Sequence, residues 1–354
     1  MTNEESVRVG GSHGRHSGGE WDRDVPRASS ALDHRAPAAE RSFGDGVHEV
    51  GRLDDGRPRE GTPPAGHTAP GASAGPVPAA RVEARESTVG DTHRVTSEDG
   101  TVIGFGRAGR GRPLVAVHGT TADRDRWRTV LPFLESERCV HTLDRRGRGL
   151  SGDAEEYRIE REYEDVAAVV DRVAEDTGTG VDLLGHSYGA LCALGAAPGV
   201  PGVRRVILYE PPVGFGGQVQ DHVMTELESL LAKGRRSDAV AYFFRAVVGM
   251  PDRELELLRA LPSWRARMAT AHTIARELRA ADAYRFEPRD VGGLDRPVLL
   301  LVGGESPEIF RKGAESIARA LPDARVEVLP GQRHIAMDTA PEAFAARVNT
   351  FLGV

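Results

Sequence analysis

Gly185-His186-Ser187-Tyr188-Gly189 sets a serine between two glycines, where the short strand-like segment 181–184 gives way to the small-residue segment 188–197. A serine hydroxyl is a weak nucleophile at neutral pH. Using it requires a base within hydrogen-bond reach and a third group that orients the base. In a tight strand-to-helix turn the serine backbone is strained and its neighbours must be small, which accounts for glycine two residues to either side. The N-terminus of the following helix also favours developing negative charge. In a chain with 42 glycines the motif alone says little, and its strand, turn and helix context carries the weight.

The base is expected late in the chain, because the order serine, acid, histidine suits a nucleophile on such a turn. His334 fits: Pro330-Gly331-Gln332-Arg333-His334 follows the last strand pattern and precedes the last helical one. A tetrahedral intermediate also needs donors for its oxyanion, and two backbone amides from different loops can supply them. The amide of Tyr188, directly after the nucleophile, is one candidate. The amide of Thr120, in His118-Gly119-Thr120-Thr121, is the other.

These residues need a scaffold, and the pattern from residue 93 onward provides one. Two β-branched runs, 93–97 and 101–107, bracket an Asp99-Gly100 turn of hairpin type. The segments 113–117, 138–143, 181–184, 203–209, 297–302 and 325–329 read as strands, of which the compact apolar run 113–117 suits burial on both faces and 181–184 is another buried strand. Helical periods lie between them at 125–135, 160–176, 188–197, 308–321 and 341–352. That alternation predicts an α/β fold: a mostly parallel sheet with helices on both faces. Between 211 and 295 the rhythm breaks into amphipathic helices at 221–233, 238–248, 252–261 and 264–281. A helical block inserted after one strand's C-terminal end is placed to cover the crevice where open α/β sheets bind ligands.

Residues 1–85 differ in kind. They are rich in Gly, Pro, Arg, Asp, Ser and His and poor in large aliphatics, so they cannot bury enough apolar surface to offset their ordering entropy. We expect a disordered tail whose single histidines, His13, His16, His34, His48 and His67, lack paired metal-ligand spacing. The two cysteines, Cys139 and Cys192, fall in a predicted strand and a predicted helix and read as buried thiols. A net charge of -7 spread along the chain argues against nucleic acid as a partner. With no long apolar stretch and no signal-peptide pattern, the expectation is a cytoplasmic protein without a membrane partner.

Taken in order, His118-Gly119-Thr120, Asp144-Arg145-Arg146-Gly147-Arg148-Gly149-Leu150-Ser151, Gly185-His186-Ser187-Tyr188-Gly189 and Gly331-Gln332-Arg333-His334 resemble the landmarks of the serine α/β-hydrolase superfamily. The resemblance spans about residue 93 to the C-terminus. It implies an α/β-hydrolase domain over 86–354 with a helical lid at about 213–292, of the esterase, thioesterase or haloperoxidase-like kind. It also removes a false lead. Gly147-Arg148-Gly149-Leu150-Ser151-Gly152 matches the dinucleotide pattern G-x-G-x-x-G, but no helix starts tightly after it, and in the superfamily the segment is a structural turn.

The acid departs from the commonest superfamily pattern. That pattern puts it after the strand 297–302, where this chain reads Gly303-Gly304-Glu305-Ser306-Pro307 and the expected position holds Ser306. Glu305 is one residue early. Glu210, closing the preceding strand, resembles the alternative acid position of some haloalkane dehalogenases and lipases. We favour Glu210 over Glu305, because such roles are fixed by geometry and not by order.

The expected activity is cleavage of an ester or thioester of a small or medium-sized molecule through an acyl-enzyme on Ser187, with no cofactor or metal implied. Two alternatives remain: another reaction on the same fold, such as acyl transfer, perhydrolysis or cyclisation, and a silent small-ligand-binding member. Serine at the nucleophile position argues against epoxide hydrolase and haloalkane dehalogenase chemistry. Met224, Phe243, Phe244, Met250, Trp264 and Met268 in the helical block read as packing more than as pocket. Oligomeric state is not legible.

Overall fold

The Asp99-Gly100 turn closes the first hairpin as expected: Gly100 takes φ 86° and its amide donates to the Ser97 carbonyl at 2.9 Å. In the computed structural model, which describes residues 90–353, this hairpin joins β1 (Thr92–Thr96) to β2 (Val102–Gly109). The tail 1–85 and its five histidines lie outside the described residues. Six more strands follow: β3 (Arg112–Val117), β4 (Arg138–Leu143), β5 (Val181–His186), β6 (Val203–Tyr209), β7 (Val298–Gly303) and β8 (Ala324–Leu329). All eight form one sheet in the order β1-β2-β4-β3-β5-β6-β7-β8. β1, β2 and β4 pair antiparallel, and every pair from β4 to β8 is parallel. The α/β class expected from the sequence is the one observed.

The central strands carry large aliphatic side chains on both faces, because both faces are covered. Val115, Leu183, Val206 and Leu300 face one core, shared with the helices Ile159–Thr177, Tyr188–Ala196 and Glu308–Ala320. Their neighbours Leu114, Leu184, Ile207 and Leu299 face the other, shared with Trp127, the short helix Leu131–Leu134 and the last helix Pro341–Leu352. Each fully buried aliphatic side chain contributes about 1.5–3 kcal/mol, so this double burial is what holds the strand ends in register. Cys139 and Cys192 are buried and unpaired.

Two helical expectations differ from the structure. The segment 125–135 is broken into a 3-10 turn, Arg124–Trp127, and the single helical turn Leu131–Leu134. Pro132 sits at the start of the latter, where its missing N–H ends continuity with the preceding turn. The segment 264–281 splits into Ser263–Ala269 and Ile274–Ala283, with a 3-10 turn at Ala271–Thr273. There the hydroxyls of Thr270 and Thr273 donate to the carbonyls of Arg267 and Thr270, competing with the helical ladder.

These two helices, with Asp221–Ala232, Arg236–Ala246 and Asp252–Ala260, form the inserted block between β6 and β7. It has its own core around Leu227, Val240, Leu255 and Ile274. Met224, Met250, Trp264 and Met268 pack within that core. No described helix is long and apolar enough to cross a membrane.

Candidate active site

Ser187 follows β5, the strand flanked by β3 and β6, and begins the helix Tyr188–Ala196 with φ 54° and ψ -125°. This is a strained conformation for a residue with a side chain, and its neighbours sustain it. The Ser187 amide donates to the Tyr209 carbonyl at 2.8 Å, and its carbonyl accepts from Ala190 at 2.8 Å. A Cβ on Gly185 would stand 2.6 Å from Ala190 Cα, and one on Gly189 would stand 2.3 Å from the His118 carbonyl oxygen. Both glycines are therefore required by close backbone approach.

The loop after β3 is set by His118. Its Nε2 accepts from the Arg145 amide at 3.2 Å, so its Nδ1 carries the proton and donates to the Gly119 carbonyl at 2.8 Å. Complete burial, reinforced by the charges of Arg148 and Arg145, pushes its pKa well below the ordinary histidine value and keeps it neutral. Thr120 thereby comes to line the same cavity as Ser187, Tyr188 and His334. That cavity has a volume of about 50 Å³, and Phe243 and Leu278 of the inserted block are among its lining residues.

His334 lies in the turn after β8, anchored from three sides. His186 Nε2 donates to its carbonyl at 2.9 Å, Phe310 stacks on its ring with centroids 4.8 Å apart, and the Tyr209 hydroxyl donates to the Arg333 carbonyl. Its Nδ1 lies 2.5 Å from Glu210 Oε2. An ionised carboxylate only accepts, so Nδ1 is the donor in this contact, and in the neutral imidazole Nε2 is then the nitrogen that can accept. Glu210 is fully buried, adopts φ 50°, and accepts a second bond through Oε1 from the Gly303 amide at 2.7 Å. Glu305 is exposed, and its amide donates to the Gln332 carbonyl at 2.9 Å. The structure thus brings Glu210 and not Glu305 to His334. Ser306, at the position usual for the acid, points its hydroxyl toward Gly303, where a Cβ would meet it at 2.7 Å. Among the described residues the Ser187 hydroxyl itself makes no hydrogen bond, although it shares the cavity wall with His334.

The segment Gly147 to Gly152 is a turn braced by a carboxylate. Asp144 accepts from the Leu150 and Arg124 amides, and a Cβ on Gly149 would stand 2.2 Å from it.

A family model described as the alpha/beta hydrolase family matches residues 114–347. The chain belongs to this family. An alpha/beta hydrolase from Sphaerobacter thermophilus is 34% identical, with a TM-score of 0.65 over 73% of this chain and all of that one. A pimeloyl-[acyl-carrier protein] methyl ester esterase of Neisseria meningitidis is 28% identical across 68% of this chain and 93% of that protein. The N-formylmaleamate deformylase of Pseudomonas putida is 37% identical over 114 residues, 31% of this chain, and the match spans 41% of that protein.

Three charged residues of this cavity region escaped the sequence reading. Glu277 comes from the inserted block and lines the same cavity as Ser187 and Thr120. It is fully buried, and although burial disfavours its charge, Arg145 and Arg148 outweigh that and hold its pKa below the ordinary carboxylate range. Arg145 reaches it at 3.2 Å and also bonds Glu162 at 2.6 Å. Arg126 and Arg267 line an adjoining space with Ser187, His334 and Phe244. Nothing in their local sequence sets them apart from arginines on a solvated helical face.

Proposed function

We propose that this chain is a serine hydrolase that cleaves an ester or thioester of a small molecule through an acyl-enzyme on Ser187. The observation that carries this reading is the 2.5 Å contact between Glu210 and His334 Nδ1, with Ser187 and His334 on one cavity wall. Glu210 orients the imidazole and favours the tautomer whose Nε2 can accept a proton. His334 takes the Ser187 proton as the hydroxyl oxygen bonds to the substrate carbonyl carbon, and the amides of Thr120 and Tyr188 hold the oxyanion. The tetrahedral intermediate collapses by breaking the bond to the leaving group, which receives the proton from His334. Water then repeats the sequence: His334 deprotonates it, the acyl bond to Ser187 breaks, and the proton returns to the serine oxygen.

The family and its ester-cleaving relative support hydrolysis over a silent binding role. The inserted block, which contributes Phe243 and Leu278 to the cavity lining, would act as a lid that excludes bulk water from the acyl-enzyme. The test pairs a fluorophosphonate label with turnover of short acyl esters. Wild type should be labelled at Ser187 and should hydrolyse the esters, and Ser187→Ala should do neither. Labelling or turnover that survives in Ser187→Ala would remove Ser187 from the mechanism.

A further inference from the structure

Arg267 is an anomaly among the buried arginines. Arg138, Arg145, Arg146 and Arg148 each reach a carboxylate: Asp182 at 3.0 Å, Glu162 at 2.6 Å, Asp165 at 2.7 Å, and Glu277. Arg267, only 5% exposed, reaches none among the described residues. Its Nη1 donates to the Thr121 hydroxyl at 2.9 Å, its guanidinium lies 5.1 Å over the Phe244 ring, and its buried Nε has no partner. Arg126 beside it gives Nη1 to Asp338 at 2.5 Å but leaves Nη2 buried without a partner.

Both arginines line a space of about 20 Å³ whose other walls include Gly119, Thr120, Ser187 and His334. Burial and then the charge of Arg126 push the Arg267 pKa down to about 9, with Asp338 and Asp123 offsetting only part. A guanidinium does not give up its proton in a protein, so the fold holds this charge at a cost that an anion would relieve. His186, which also lines the space, is held neutral by burial, reinforced by the charge of Arg126, and so adds no positive charge.

We propose that Arg267 and Arg126 bind a carboxylate of the substrate beside Ser187, so that the molecule cleaved is a short acid carrying a second, hydrolysable acyl group. Asp338 contacts Arg126 and not Arg267, so Arg267 is the cation with no carboxylate in contact among the described residues, and one carboxylate of the substrate would supply it. A planar two-oxygen group suits the guanidinium fork, and the small volume favours it over a bulkier anion. Cleavage of that acid rests on the serine hydrolase reading, whereas its binding at the two arginines does not.

The test uses the full chain carrying Ser187→Ala, so that ligands are not consumed, and compares monomethyl succinate with dimethyl succinate by calorimetry. The monoanion should bind roughly ten- to a hundredfold more tightly than the neutral diester. Arg267→Met and Arg126→Met should each abolish most of that difference, and Arg267→Lys should keep part of it, which separates loss of charge from loss of fold. Equal binding of the two esters, no binding of either, or a preference unchanged in Arg267→Met overturns the proposal. In the Ser187-containing protein, a persisting anion preference without ester turnover or fluorophosphonate labelling would leave the anion site standing and sink the hydrolase reading. Turnover with no such preference would do the reverse.

Discussion

Replacing Glu210 with glutamine keeps shape and volume while removing the charge, and the surroundings dictate how the new amide must sit. The Gly303 amide, 2.7 Å from Oε1, needs an acceptor, so the carboxamide oxygen stays there and its NH2 faces His334. His334 Nδ1, now opposite a donor, must become an acceptor, which moves its proton to Nε2. In that tautomer the imidazole cannot accept the Ser187 proton. By analogy with tautomer-trapping changes in serine enzymes, kcat should fall by roughly 10³ to 10⁴, or about 4–5.5 kcal/mol of transition-state stabilisation. Initial-rate kinetics on p-nitrophenyl acetate would measure this, with Glu305→Gln as the comparison, since the exposed Glu305 should change kcat by no more than roughly twofold. Adding Ser306→Asp to Glu210→Gln returns a carboxylate beside Gly303 and should recover part of the loss. The reasoning fails if Glu210→Gln keeps roughly a tenth or more of wild-type kcat, or if Glu305→Gln loses as much.

Three further outcomes follow from the packing. Gly189→Ala places a Cβ against the His118 carbonyl at 2.3 Å, so it should cost about 1–3 kcal/mol or more in urea unfolding, and an unchanged midpoint would contradict the geometry. Glu277→Ala leaves Arg145 and Arg148 short of a buried partner and should cost about 3–5 kcal/mol, whereas Glu228→Ala, which removes an exposed pair with Arg279, should leave the midpoint nearly unmoved. Burial, aided by Arg107 and His93, holds the His141 pKa down to about 4, below its unfolded value of about 6.5. The unfolded chain therefore binds the extra proton first: stability is full above pH 6.5 and is lost as pH falls toward 4, by up to about 3 kcal/mol from this residue. His118 and His186 are shifted the same way, so His141→Gln should flatten part of that loss in denaturant titrations and not all of it.

The strands and the turn around Ser187 were legible because burial on both sheet faces leaves short runs dominated by aliphatic residues, and close backbone approach leaves glycines at fixed offsets. Both are local signals. The two helix breaks were not legible in the same way: Thr270 and Thr273 look like ordinary members of an amphipathic repeat until their hydroxyls are seen bonded to the carbonyls of Arg267 and Thr270. The choice between Glu210 and Glu305 could be narrowed but not closed from sequence, because it turns on which of two neighbouring strand ends faces the His334 loop. Arg126 and Arg267 lie 141 positions apart and meet only when the inserted block closes on the loop after β3. A single sequence carries no trace of that meeting.

Backbone strain links these pieces. Among the described residues, Thr121, Ser187 and Glu210 alone take positive φ without being glycine, at 65°, 54° and 50°. They follow β3, β5 and β6, three successive strands in the sheet, and all stand at its C-terminal edge. Such conformations cost about 1–3 kcal/mol each and persist only where the surroundings over-determine them. Each of the three positions a group in this one region: Ser187 presents its own hydroxyl to the cavity, Glu210 meets His334, and Thr121 accepts from Arg267. The first two placements suit the proposed proton relay. The third has no part in it, and strain spent on holding beside Ser187 a cation with no carboxylate partner among the described residues is what an anion-binding subsite would require.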